Sequence, residues 1–157
     1  MVEVNNVYEI VTWFLHSKEM THKKLQKLLY FCYGIYLYEN NSDENNINNR
    51  LFYNNFEAWV HGPVDPDIYE IFKYAGINQL HIESDEVPVF RERVMLALNT
   101  TLDRYGNYEA DELEEMTHNQ APWINARKGL PASAPSNNRL EDRDIYLTFK
   151  EILEIAK

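Results

Sequence analysis

A single cysteine, Cys32, stands in this chain of 157 residues, so no internal disulfide can staple it. Cys32 lies in "KLLYFCYGIYLY", where it reads as a small buried hydrophobe rather than a nucleophile. The five glycines (Gly34, Gly62, Gly76, Gly106 and Gly129) are too scattered to build a phosphate-cradling loop. No serine sits in a nucleophile elbow. The five histidines share no metal-ligand spacing, and no HExxH occurs, so neither a metal nor a cofactor is expected. Basic residues are in short supply, 15 against 25 acidic, for a formal charge of −10. That balance makes direct nucleic-acid binding a poor expectation, because phosphate recognition needs a clustered basic face. No apolar run is long enough to span a bilayer, and "MVEVNNVYEIV" lacks the basic and apolar regions of a signal peptide. The expected location is the cytoplasm, with no membrane partner.

What is plentiful is aromatic surface. Eleven tyrosines, seven phenylalanines and three tryptophans make up 13% of the chain. Rigid side chains of that size supply both core burial and interface anchors. The length suits one domain over residues 1–157 with one hydrophobic core. The negative charge reads either as plain solubility or as a field that draws a basic protein.

Helical periodicity dominates. Residues 4–17 carry Val7, Ile10, Val11, Phe14 and Leu15 on one stripe. Thr21 reads as the N-cap of a second helix, with Leu25, Leu28, Leu29, Cys32, Ile35 and Tyr36 at helical spacing. Lys23, Lys24 and Lys27 crowd its first turns, where the helix dipole disfavours cations; a solvated face is the expectation, an anion contact the rival. "ENNSDENNINNR" is an asparagine-rich surface loop, and "RLFYNNFEAWV" a short hairpin or irregular extended pair. In "DPDIYEIFKYAG", Asp65 caps, Pro66 takes the first helical position, Ile68, Ile71 and Phe72 face inward, and Gly76 ends the helix. "INQLHIESDEVPVF" is loop. Helices follow over Arg91–Tyr105 and Glu109–His118, then a turn from Pro122, a Pro-rich loop "LPASAPSNN", and a final helix with Ile145, Phe149, Ile152 and Leu153. The expected fold is mostly α, a compact multi-helix domain with at most a short β-hairpin.

Three segments occur in order: "MTHKKLQKLLYFCYG", "FEAWVHGPVDPDIY" and "YGNYEADELEEMTHNQAPWINAR". Together they resemble the SocA-like, or Panacea, antitoxin domain family, with its Lys-Leu-Gln-Lys-Leu-Leu-Tyr helix, Ala-Trp-x-(Tyr/His)-Gly-Pro-Val turn and Leu-x-x-x-Thr-His-x-x-x-Pro-Trp segment. The resemblance covers nearly the whole chain. It places motif or partner-binding residues at Lys27 and Tyr30 in the first segment and at Trp59, His61, Gly62 and Pro63 in the second. In the third it places them at Glu112, Glu115, Thr117, His118, Pro122 and Trp123. It implies a non-catalytic protein that binds and neutralises a toxin, and in one type an adaptor that brings its toxin to a host protease. Two departures stand out. Glu109 occupies a position where relatives often carry a Ser or Thr cap, and residues 40–49 look like an insertion.

The residues at the two corners have mechanical roles of their own. Gly62 and Pro63 fit a sharp turn, with Trp59 anchoring it against helix 21–38 and His61 bonding within it. His118 is placed to cover the last carbonyls of the acidic helix, and Trp123 to pack into the core. The lead reading is an antitoxin-like binding module whose partner is a toxin with a basic surface. The alternative is a phage-encoded acidic inhibitor or adaptor that blocks or redirects a host protein. An enzyme using His61, His118 and the acidic run ranks below both, since acids in a helix's first turns are simply stabilised by its dipole.

Overall fold

The computed structural model describes residues 4–82 and 85–155. Asn6 accepts the Tyr8 N–H and starts α1 (Val7–Ser17); Thr21 accepts the Lys24 N–H and starts α2 (His22–Glu39). Of the 18 residues of α2, fifteen are buried, so it is the axis around which the rest is built. The most extensive packing on α2 comes from α4 (Glu92–Tyr105) and α7 (Asp142–Ile155), with α1 and α5 (Ala110–His118) completing the wrap. Gly34 permits the close approach of α7. A Cβ there would lie 2.1 Å from the Phe149 ring, which instead meets Tyr30 and Phe31 edge-on. Phe31 stacks on Tyr105 at 4.0 Å and ties α2 to α4. One continuous apolar cluster runs through α1, α2, α4, α5, α7 and the short helix α6 (Ala121–Ala126).

Between α2 and α4 the chain makes the short β-hairpin, β1 (Glu57–Trp59) and β2 (Gly62–Val64), with Trp59 opposite Gly62. The turn between the strands is Val60 and His61, so the Gly-Pro step opens β2 and is not the corner that the sequence suggested. The preceding stretch is irregular, with Leu51, Phe52 and Phe56 buried in the core and Tyr53 turned to solvent. On its other side β1 is bonded by the chain returning to α7: Ala58 N–H donates to Asn138 at 2.8 Å, and Leu140 N–H to Phe56 at 3.0 Å. Asp65 caps α3 (Pro66–Phe72) as the sequence suggests, and a 3₁₀ turn (Lys73–Ala75) follows. Ile71 does not face inward; it is 50% exposed, because so short a helix buries only the line through Ile68 and leaves its flank to solvent. The short α6 (Ala121–Ala126) starts at the Pro122 turn and packs on α7 and β1. Among the described residues no helix is long and apolar enough to cross a membrane.

Candidate functional site

The lysines at the start of α2 do not form a solvated face. Lys27 is 1% exposed, and its Nζ donates to the Pro63 carbonyl at 3.1 Å. Lys24 reaches the Gly106 carbonyl at 2.6 Å. Lys23 pairs with Asp111 at 2.7 Å and with Glu114. Their spacing points all three into α2's neighbours, because α2 is enclosed where a surface helix would be open. Burial lowers the Lys27 ammonium to about 7, Glu114 opposing and Lys23 reinforcing the shift.

Lys27 explains why glycine stands at 62. Its φ of 104° is one that L side chains avoid, and a Cβ would lie 2.7 Å from both Lys27 Cε and Thr117 Oγ1. Lys27, Gly62, Pro63 and Thr117 therefore meet at one point, although 90 residues of sequence separate the first from the last. Thr117 turns its hydroxyl to the Glu114 carbonyl at 2.7 Å. Tyr30, one turn along α2, donates to Gln120 Oε1 at 2.7 Å and is held well above the usual phenol range by burial.

The second corner closes on the same hairpin. Trp123 is buried and donates from Nε1 to the Trp59 carbonyl at 2.7 Å. His118 stacks on one side of the indole at 4.2 Å, and the Arg127 guanidinium lies 4.7 Å from the ring centre. Arg127 is itself buried, donating to the Ala58 carbonyl at 2.9 Å and to those of Pro131 and Ala134. It was not singled out from the sequence, where an arginine in "NARKG" carries no signal of burial. Pro122 is buried at the start of α6.

Glu114 is the other residue that sequence reading passed over. Its carboxylate takes Lys23, approaches His61 Nδ1 at 3.2 Å and lies 4.0 Å from His118 Nε2. His61 thus points outward, its side chain 72% exposed, toward α5 and not into the turn. His118 leaves the helix-end carbonyls to Asn119, whose side chain donates to the Glu115 carbonyl at 3.0 Å; burial keeps the His118 imidazole below its usual range. Glu112 accepts the Glu109 N–H at 2.9 Å, which offsets the missing Ser or Thr cap. Glu115 is exposed.

Beside Lys27, Gln26 exchanges two bonds with the Asp65 backbone, at 3.1 and 2.8 Å, and contacts His22 at 3.1 Å. Burial and the neighbouring Lys27 charge lower His22 to about 4. Trp59 is half-buried and does not lie on α2. Its N–H finds Glu57 at 2.8 Å, and its ring meets Tyr69 of α3 edge-on at 4.7 Å. The space left between Trp59 and α2 is a cleft of about 240 Å³. A second cleft of about 280 Å³ opens beyond it, lined by Trp59, Val60, His61, Val64 and the 135–137 loop. The hairpin tip therefore stands as a ridge between two clefts.

No group of three His, Cys, Asp or Glu side chains among the described residues is placed to hold a metal ion. Compared with known proteins, residues 25–124 match the family model described as antitoxin SocA-like, Panacea domain. That span contains Lys27, the Trp59–Pro63 turn and Trp123, and leaves out Arg127. Neither the curated proteins nor the solved structures searched gave a match.

Proposed function

The chain belongs to the SocA-like Panacea antitoxin domain family, and from that premise we propose that it neutralises a cognate toxin by direct, stoichiometric contact. Residues 1–157 act as one unit in this reading. The observation that supports it most is the Trp59 ridge: a large aromatic, half-buried and flanked by two clefts, is the form that interface anchors take. Around it Lys27, Gly62, Pro63, Thr117 and Trp123 fix the ridge in place, while His61, Glu115 and the outer face of α5 meet the partner. The exposed acids Asp111, Glu112 and Glu115 suit a toxin with a basic surface, consistent with a net charge of −10.

The test uses the toxin captured by the tagged protein from its native host. Titrating the protein into that toxin lowers toxin activity in proportion to added protein, with the minimum near equal molar amounts. Full suppression at a small substoichiometric fraction, with the toxin covalently altered, would overturn the reading in favour of an enzyme. Suppression only when a host protease is added would mean an adaptor instead.

A further inference from the structure

The cleft between Trp59 and α2 differs from the rest of this acidic molecule. Its lining includes Lys23, Lys27, Lys73, His22 and His61 and no carboxylate, against a chain-wide excess of 25 acids over 15 bases. Two of the three lysines already have carboxylate partners: Lys23 has Asp111 and Glu114, and Lys73 has Glu70 at 2.6 Å; His61 also contacts Glu114, at 3.2 Å. Lys27 has no carboxylate at ion-pair distance among the described residues. Its Nζ carries three donors, and the Pro63 carbonyl takes one. Gln26 and His22, both more than nine-tenths buried, stand beside it on the same wall, and Trp59, Val64 and Tyr69 supply an apolar wall opposite.

We propose that this cleft seats a carboxylate of the toxin, carried on an apolar stem, with the Lys27 amine as its counter-ion and Trp59 and Tyr69 packed along the stem. This rests on the toxin-binding reading and names the chemistry that the site selects. A basic toxin surface meets the acids of α5, and one acidic residue within it fixes the register. Charge complementarity argues for a carboxylate over a cation. A lysine or arginine entering here would face Lys23, Lys27 and Lys73 at once, and no Asp or Glu is among the residues that line the cleft. The volume, about 240 Å³, suits one side chain and not a cofactor.

Burial supports the assignment. With Lys27 lowered to about 7, the free amine is partly neutral near neutral pH, and seating a carboxylate draws a proton onto it. His22, lowered to about 4, stays neutral through that range. The remaining groups facing Lys27 are His61 from the hairpin, Glu114 and His118 from α5, and Lys23 from α2 itself. Carboxylate affinity is expected to fall as pH rises from 6 to 9.

The experiment uses 3-phenylpropionate and its uncharged twin 3-phenylpropionamide as probes on the full chain, followed by the Trp59 indole N–H resonance. The acid is expected to bind in the millimolar range, usual for a fragment of about a dozen atoms. The amide should bind about tenfold more weakly, the size of one charge-assisted hydrogen bond. Lys27→Met should bring the two together, and the acid should slow formation of the toxin complex. If Lys27→Met fails to fold, the acid–amide ratio on the unaltered protein still decides. A ratio near one, no binding of the acid, or acid binding that leaves toxin association unchanged would each overturn the proposal. Each can occur while stoichiometric neutralisation stands. Loss of stoichiometric neutralisation would instead overturn the reading beneath it.

Discussion

The hairpin is gripped from both flanks by a buried cation, and the two grips differ. Arg127 spends its guanidinium on four backbone carbonyls and lies against the Trp123 ring. Lys27 gives one hydrogen bond to Pro63 and borders a cleft. The planar fork of arginine satisfies several acceptors at once in fixed directions, which suits closing the 131–134 loop onto β1. The compact ammonium of lysine cannot do that, and it shifts its proton affinity when buried. One side of the hairpin is therefore closed and structural, and the other is left with donor capacity facing an open space.

Removing the closed side should have the largest effect. Arg127→Met strands four carbonyls and loses the contact to Trp123, for a destabilisation of roughly 3–5 kcal/mol by chemical unfolding. Trp123→Ala should cost a similar amount, about 3–5 kcal/mol, as deletion of a buried aromatic. Values under about 1 kcal/mol for either would erase the distinction between the two flanks.

Trp59 belongs to the open side. Half-buried and supported by Tyr69 and Glu57, it should cost only about 1–2 kcal/mol on Trp59→Ala, while toxin binding is lost. Thermal unfolding alongside a binding assay separates these outcomes. A loss as large as that for Trp123 with binding intact would move Trp59 to the structural flank.

Lys27 sharpens the contrast through pH. Its folded value of about 7 lies below that of an unfolded lysine, so the unfolded chain holds the proton more tightly. Stability contributed by this group is lowest below pH 7 and recovers as pH rises toward the ordinary lysine range. Lys27→Met abolishes that slope and changes stability at pH 9 by no more than about 1 kcal/mol, because loss of the bond to Pro63 is offset by removal of a buried ionisable group. Denaturation midpoints of both proteins at pH 6 and pH 9 check this. Parallel curves would mean that Lys27 is not perturbed by burial.

The smallest effects lie on the outer face of α5. Glu115→Gln should leave stability within about 0.5 kcal/mol. Association with the toxin should slow as salt rises, since exposed charges are screened over about 8 Å at physiological ionic strength. A rate flat across a salt series, measured by stopped flow, would remove electrostatic steering from the binding step.

Helix positions were legible along most of the chain because each rests on a local signal: Thr21 and Asp65 as caps, Pro66 and Pro122 at first turns, apolar stripes in α1, α4 and α7. Where burial pattern alone had to decide, the reading slipped. Ile71 looked inward and is exposed, and the 51–56 stretch, read as a short hairpin or an irregular extended pair, is irregular, with Phe52 and Phe56 buried and Tyr53 exposed. The candidate site was legible only as separate segments. Lys27, Gly62 and Thr117 could be named, but nothing local tells that they touch, that Lys27 is buried, or that Arg127 and Glu114 complete the corner.

By itself the sequence determined the helical class, the caps and the family, since these follow from neighbours a few residues apart and from motif order. The tertiary structure decided which cations are enclosed, how Trp59 and Trp123 divide into ridge and core, and where a cleft free of carboxylates opens in an acidic protein. Burial and charge pairing are properties of groups brought together across tens of residues. Lys23, Lys24 and Lys27 are alike in sequence, and only packing pairs Lys23 with two carboxylates, gives Lys24 the Gly106 carbonyl, and encloses Lys27 against the Pro63 carbonyl with no carboxylate at ion-pair distance among the described residues.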